Sequence, residues 1–309
     1  MSMGANRKRA ITMVLVAIAF ATSQDAIVKA MSGGYPTWET VFFRGLFALP
    51  VFIGWLMWAK IALWPMPKQW PLVLLRSVIL FSAYMAFALA IATLPLANAV
   101  AIYFTMPFFV CALSGWFLGE VVPGYRWAAI FMGFMGVLIS VRPGSETFQP
   151  ASVLALYSAL GYALGQMLGR RVAQDVDPLF VANMQSVLYL VGAAVIGAVV
   201  LGLGIDASNA PSFAALTRAW AMPPPLDLAV LALMGVFSAI SSVFFVKAYQ
   251  AAPANFVAPF EYSAMIAALF YGVVWFHDYP DGWTLSGAAI VVTAGLAMLW
   301  RDAHLQKRG

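Results

Sequence analysis

Long apolar runs, each about the length of a bilayer core and separated by short polar or proline- and glycine-rich clusters, set the pattern of this chain. The pattern predicts spans near residues 10–31, 38–58, 70–93, 97–118 and 125–141. A second set falls near 150–170, 179–203, 226–250, 254–276 and 283–300. Ser32-Gly33-Gly34-Tyr35-Pro36, Trp64-Pro65-Met66-Pro67, Val122-Pro123-Gly124 and Arg142-Pro143-Gly144-Ser145 punctuate the first set. Pro223-Pro224-Pro225 and Tyr279-Pro280-Asp281-Gly282 do the same in the second. A barrel strand would alternate apolar and polar residues over about 10 positions. These runs are continuous, and about 20 apolar residues are what a helix needs to cross a core of about 30 Å. Helices satisfy their own backbone hydrogen bonds in lipid. The expectation is therefore an all-α polytopic membrane protein of about ten transmembrane helices. The stretch from Gly204 to Pro225 is the one connection long enough for a substantial external loop.

Composition excludes a soluble reading. Only 9% of the residues are charged and 63% are hydrophobic, where soluble chains carry about 25% charged residues. The net charge of +5 does not signal nucleic acid, because the basic residues sit mostly at the ends of apolar runs. On the amino-terminal side lie Arg7, Lys8, Arg9, Lys60, Lys68, Arg126, Arg170, Arg171, Arg301, Lys307 and Arg308. Arg142, Arg218 and Lys29 lie toward the other side. This asymmetry predicts both termini in the cytoplasm, in a bacterial-type inner membrane. Arg7, Lys8 and Arg9 before an apolar run and Ala19-Phe20-Ala21 also fit a cleavable signal. The run continues past that point, so a retained first span is expected. Cys111 is the only cysteine, and His277 and His304 are the only histidines. No intramolecular disulfide, thiolate cluster or other metal site is expected, and no cofactor.

The chain also echoes itself. Gln24, Lys29 and Pro36 match Gln166, Arg171 and Pro178 at one constant offset. Ala97-Asn98-Ala99-Val100-Ala101 matches Ala254-Asn255-Phe256-Val257-Ala258 at a larger offset, the long loop lying between. The expected repeats are residues 1–145 and 146–309, each of five helices. Five is odd, so the second repeat enters the membrane from the opposite side. Such inverted repeats belong to secondary transporters, which bind substrate near the midplane where the halves meet.

Further motifs carry a family likeness: Phe42-Phe43-Arg44, Leu75-Arg76-Ser77, Leu94-Pro95-Leu96-Ala97-Asn98-Ala99, Met106-Pro107, Leu118-Gly119-Glu120 and Gly136-Val137-Leu138 in the first half. In the second are Ala258-Pro259-Phe260-Glu261-Tyr262, Phe276-His277-Asp278-Tyr279-Pro280 and Gly287-Ala288-Ala289. Over nearly its whole length the chain resembles the EamA group of the drug/metabolite transporter superfamily. His277-Asp278 replaces that family's usual Gly-Glu. Ser23-Gln24-Asp25, Lys29, Glu39 and Phe42-Phe43-Arg44 resemble the branch of S-adenosylmethionine and riboflavin uptake proteins. The resemblance implies secondary transport of a small organic metabolite by alternating access. Amino-acid or drug export is the alternative within the fold, and flipping of a lipid-linked substrate the alternative of another class. It also implies that Tyr84, Tyr103, Tyr162, Gln166 and Tyr262 lie on spans facing the cavity, where aromatic rings stack on a planar ligand.

Ionisable residues inside spans are costly, about 2.5–3.5 kcal/mol each on insertion scales, and so are candidates for function. Asp25 and Lys29 lie four apart on one helical face. They either neutralise each other or leave Asp25 to face the cavity and meet a cation or proton. Arg44 needs a partner outside its own helix, and Asp25 is a candidate; a structural role is the other reading. Arg76 reads as an interfacial anchor or a gate charge. Glu261 follows Pro259, which removes a backbone donor and loosens the ninth span. That setting suits cation or proton coupling, and Lys247 is the expected neutralising partner, as a lock or as an inner gate. Pro107 plays the same helix-breaking part in the fourth span. Gly133 and Gly136 read as close helix packing.

No cluster of acids or histidines suggests an embedded enzyme, and no Gly-x-x-x-x-Gly-Lys-Ser/Thr loop suggests a nucleotide motor. A channel would assemble its pore from several subunits, whereas two repeats already enclose a path. The expected partners are a small-molecule substrate, the lipid bilayer and protons as coupling ion, with no nucleic acid. A monomer or homodimer is expected.

Overall fold

A computed structural model describes residues 3–61, 68–119, 122–142, 150–172, 176–205 and 211–306. A few side chains within those ranges, Pro259 and Tyr262 among them, lie outside what the structure describes. The motif residue Glu120 lies outside the described residues as well. The described residues form helices and their connections, with no strand. The first half comprises α1 (Met3–Met31), α2 (Thr37–Trp58), α3 (Trp70–Thr93), α4 (Leu96–Tyr103), α5 (Met106–Leu118) and α6 (Gly124–Val141). The second comprises α7 (Pro150–Val172), α8 (Pro178–Gly202), α9 (Pro211–Thr217), α10 (Pro225–Ala251), α11 (Ala254–Val257), α12 (Ser263–Trp275) and α13 (Gly282–Gln306). Seven segments are long and apolar enough to cross a membrane, α4 and α5 forming one of them. The three shorter apolar helices, α6, α12 and α13, complete the expected ten spans.

Helix ends follow local chemistry. Asp177 caps α8 by accepting from the Leu179 N–H at 2.8 Å, and Pro178 occupies the first turn, where no partner is missed. Gly119 closes α5 in the left-handed conformation. The fourth and ninth spans, placed at 97–118 and 254–276, are interrupted, as Pro107 and Pro259 led us to expect. Pro107 has no N–H for the Tyr103 carbonyl, and α4 ends at Tyr103. In the second half a 3₁₀ stretch, Ala258–Tyr262, separates α11 from α12 and contains Pro259. Both spans are entered through a proline in nearly the same conformation, Pro95 (φ −53°, ψ 138°) and Pro253 (φ −53°, ψ 140°).

The halves pack by exchange. The first span of one half, α1, lies along the third of the other, α10; reciprocally, α7 lies along α3. The second spans, α2 and α8, pair with each other, as do the fifth, α6 and α13. This is the contact pattern of a two-fold relation between duplicated halves. Several crossings are close enough to need glycine. A Cβ at Gly45 of α2 would stand 2.7 Å from the Leu190 backbone nitrogen of α8. One at Gly235 of α10 would stand 2.8 Å from the Phe47 carbonyl carbon. Gly136 meets the Gly287 carbonyl oxygen in the same way, the packing expected of it, and Gly133 lies against the Phe108 ring.

The described part of the long connection before α10, residues 211–224, packs against the first half. It carries α9, and Arg218 donates to the Ser32 and Gly33 carbonyls at 2.7 and 2.8 Å. Trp220 sits against Trp38, Phe42 and Phe43. Glu39, fully buried, accepts from the Ala221 N–H at 3.2 Å.

Candidate functional site

Between the halves lies a cavity whose empty space, including the part open to solvent, is about 1000 Å³. Its described lining comes from α1, α2, α3, α4, α5, α7, α8 and α10, the Ala258–Tyr262 turn and α12, and includes nothing from α6 or α13. The paired fifth spans therefore stand outside it. Eight expected residues line it: Gln24, Asp25, Arg44, Tyr84, Tyr103, Tyr162, Gln166 and Glu261.

On one wall α1, α2, α3, α8 and α10 assemble a polar cluster. Arg44, 5% exposed, shares its Nε–H between Gln24 Oε1 at 3.0 Å and Ser238 Oγ at 2.8 Å. Gln24 in turn donates to the Tyr84 hydroxyl at 3.0 Å and to Asp25 Oδ1 at 3.4 Å. The Arg44 Cζ stands 3.9 Å from the Tyr84 ring centroid and 4.3 Å from that of Tyr189. Both distances are those of cation–π contacts. Arg76, 2% exposed, donates from Nη1 to Gln185 at 3.0 Å. Gln185 donates to the Tyr189 hydroxyl at 3.2 Å, and that hydroxyl donates to the Leu80 carbonyl. The guanidinium of Arg76 fits because position 169 of α7 is glycine: a Cβ there would meet Nε at 2.8 Å.

Across the cavity sits Glu261, 3% exposed, on the 3₁₀ stretch. It accepts a hydrogen bond from the Tyr249 hydroxyl. A ladder of rings connects α3, α4, α7 and α10: Phe87 to Tyr103 at 4.8 Å, Tyr103 to Tyr162 at 5.8 Å, Tyr162 to Phe245 at 6.1 Å. Arg44 Nη1 and Arg76 Nε are buried without a hydrogen-bond partner.

Three candidate pairings are not formed directly. Lys29 does not neutralise Asp25; its Nζ bridges to Asp278 at 3.2 Å and donates to the Leu94 carbonyl at 3.1 Å. Its long stem reaches past the helix end, while Asp25, one turn deeper, faces the cavity. Arg44 reaches Asp25 only through Gln24. Lys247 lies 5.4 Å from the Trp55 ring rather than beside Glu261. Residues two positions apart on a helix point about 200° from each other, so Tyr249 pointing at Glu261 turns Lys247 away. The wall residues that sequence reasoning missed are Gln185, Tyr189, Ser158, Ser241 and Ser242. The spacing of Gln185 and Tyr189, four apart in an apolar run, was the available signal. Among the described residues no group of histidine, cysteine or carboxylate side chains has metal-holding geometry.

Comparison with known proteins agrees with this architecture. The EamA-like transporter family matches the chain twice, over residues 8–142 and 149–300. An S-adenosylmethionine uptake transporter of Rickettsia bellii is 24% identical over 93% of this chain and 92% of its own length. A riboflavin transporter of Rhizobium johnstonii is 26% identical over 97% and 93%. A pseudopaline exporter of Pseudomonas aeruginosa is 27% identical over 92% and 93%. A solved crystal structure, 16% identical, shares the fold with a TM-score of 0.70 over 96% of this chain and 98% of that one. This chain therefore belongs to the EamA-like transporter family and is a multi-pass membrane protein that moves small molecules.

Proposed function

We propose that the chain is a secondary active transporter that takes up a small organic metabolite, S-adenosylmethionine-like or riboflavin-like, by alternating access. The observation that carries this reading is a cavity walled by both halves, with the fourth span of each half broken at or beside its wall. Interrupted helices near the midplane offer free carbonyls and mobile half-helices where a substrate must bind and the path must change sides. Rings spaced along Phe87, Tyr103, Tyr162 and Phe245 suit a planar group. The uptake proteins among the relatives favour import into a bacterial-type cell across its inner membrane. The basic residues favour both termini in the cytoplasm, and the duplicated halves favour a complete path in one chain.

Protons are the coupling ion we assign, with Glu261 as carrier. Its carboxyl group lies on the broken segment, among the described residues has no cation within ion-pairing distance, and is held by a tyrosine hydroxyl. Taking up a proton in one access state and releasing it in the other ties the movement of charge to that of substrate. The test is uptake by proteoliposomes under an imposed proton gradient, with radiolabelled S-adenosylmethionine and riboflavin in separate assays. Gradient-stimulated accumulation of one substrate is expected. Glu261→Gln should abolish accumulation while keeping substrate exchange at equilibrium. Normal accumulation by the variant would remove Glu261 from coupling. A second reading, export, is favoured by the pseudopaline exporter. It predicts accumulation only when the gradient is reversed relative to protein orientation.

A further inference from the structure

We infer that the transported molecule carries an amino-carboxylate zwitterion, with its carboxylate received by Arg44 and its ammonium group turned toward Asp25. This deepens the transport reading above and rests on it.

Arg44 is an ionised side chain inside the membrane-spanning bundle, and such a charge is retained only where something compensates it. Among the described residues no carboxylate lies within ion-pairing distance of it. Asp25 is the natural counter-ion, yet Gln24 stands between them, accepting from Arg44 at 3.0 Å and donating to Asp25 at 3.4 Å. The guanidinium is held by its Nε edge, on Gln24 and Ser238, and by its flat face, on Tyr84 and Tyr189. That clamp fixes the plane and leaves Nη1 buried and without a hydrogen-bond partner, in a side chain that lines the cavity. A fixed guanidinium with an unused donor matches a carboxylate, which accepts charge-assisted N–H bonds.

The surroundings narrow the class. Asp25 beside Arg44 and Glu261 across the cavity would repel a doubly charged phosphate. A group carrying both signs satisfies Arg44 and Asp25 together. A neutral planar molecule would fill the aromatic ladder and leave Arg44 uncompensated.

The test is ligand-dependent thermal stabilisation of the purified full-length protein in detergent, read by intrinsic tryptophan fluorescence. Two matched pairs serve as probes: S-adenosylmethionine with its decarboxylated form, and L-methionine with L-methioninamide. Riboflavin is the neutral control. We expect the carboxylate member of at least one pair to stabilise the protein, and its partner to bind about 10- to 100-fold more weakly, the usual cost of losing a charge-assisted hydrogen bond. Arg44→Gln should erase that discrimination, and Arg44→Lys should keep the preference at about tenfold lower affinity. Circular dichroism and gel filtration report whether each variant folds; if Arg44→Gln does not, Arg44→Lys carries the test.

Equal binding within both pairs, unchanged affinity in the folded variants, or no binding by any carboxylate probe overturns the inference. Riboflavin uptake by proteoliposomes without carboxylate binding would overturn it and leave the transport reading intact. Carboxylate-dependent binding without any uptake would do the reverse.

Discussion

His277 holds a backbone φ of +54°, in the left-handed region that costs a side-chain-bearing residue about 1–2 kcal/mol. Gly119 ends the fourth span of the first half at φ +65°, so both halves turn at the same place with the same handedness. The resemblance put His277 where the family has glycine, and the backbone supplies the reason glycine suits it. His277→Gly should raise the thermal midpoint in detergent by the equivalent of about 0.5–1 kcal/mol, strain relief less the added chain entropy. A fall would mean that the imidazole makes a contact worth more than the strain. Asp281, just before α13, gives a pH prediction. Its carboxyl is held below its ordinary value of 3.8 by the Thr284 side chain and backbone N–H, then by Arg142. A depressed acid stabilises the fold above the unfolded value, and that contribution disappears as pH falls through the folded one. The thermal midpoints of wild type and Asp281→Asn should therefore differ by a constant amount near neutrality and converge below pH 3.8. The difference should be small, because both side chains of the Arg142–Asp281 pair are partly exposed.

Among the elements, α2 is wedged between two neighbours. Backbone approaches confine it on two sides, at Gly45 against Leu190 of α8 and at Phe47 against Gly235 of α10. That wedge brings Arg44 against Tyr189 and Ser238, which belong to those same neighbours. Gly45→Ala must push backbone against backbone, and overpacking of this kind costs about 1–3 kcal/mol. We expect a lower thermal midpoint together with weaker ligand binding. Gly54→Ala, with open space around its would-be Cβ, should show neither and serves as control. The same helix runs unbroken from Thr37 to Trp58 across Pro50, whereas α4 and α5 part at Pro107.

At the scale of the whole molecule, one end of the bundle is pinned by contacts between the halves. Where α1 ends, Lys29 meets Asp278, Arg142 meets Asp281, Tyr35 donates to Asp227, and Arg218 holds the Ser32 and Gly33 carbonyls. Toward the other end, Arg170 of α7 binds the Tyr249 and Ala252 carbonyls. It thereby repeats in the second half what Lys29 does for the Leu94 carbonyl in the first. In alternating access the pinned contacts must break for that end to open. Asp278→Asn should raise labelling of Ser242→Cys, on the cavity wall, by an impermeant maleimide added from that side, in a background lacking Cys111. A partly exposed pair is worth up to about 1 kcal/mol, so the rate should rise by no more than about fivefold. An unchanged rate would mean that the pair does not help close that end.

Span count, helical class, duplicated halves and the family were legible in the sequence, because span length and hydropathy are properties of local stretches. Most of the cavity's ionisable and aromatic lining was legible too: a charge such as Asp25, Arg44 or Glu261 stands out inside an apolar run. What each charge touches was not. Lys29 and Asp25 share a helical face, yet Lys29 takes Asp278, a residue at the far end of the chain. Lys247 and Glu261 are near in sequence, yet the rotation of α10 separates them. Nor could the sequence say that Gln185, Tyr189 and Arg76 form the wall behind Arg44. In lipid both faces of a helix are apolar, so the pattern that orients a soluble helix is faint. Orientation was decided instead by where glycine lets two backbones approach, and that belongs to the tertiary structure alone.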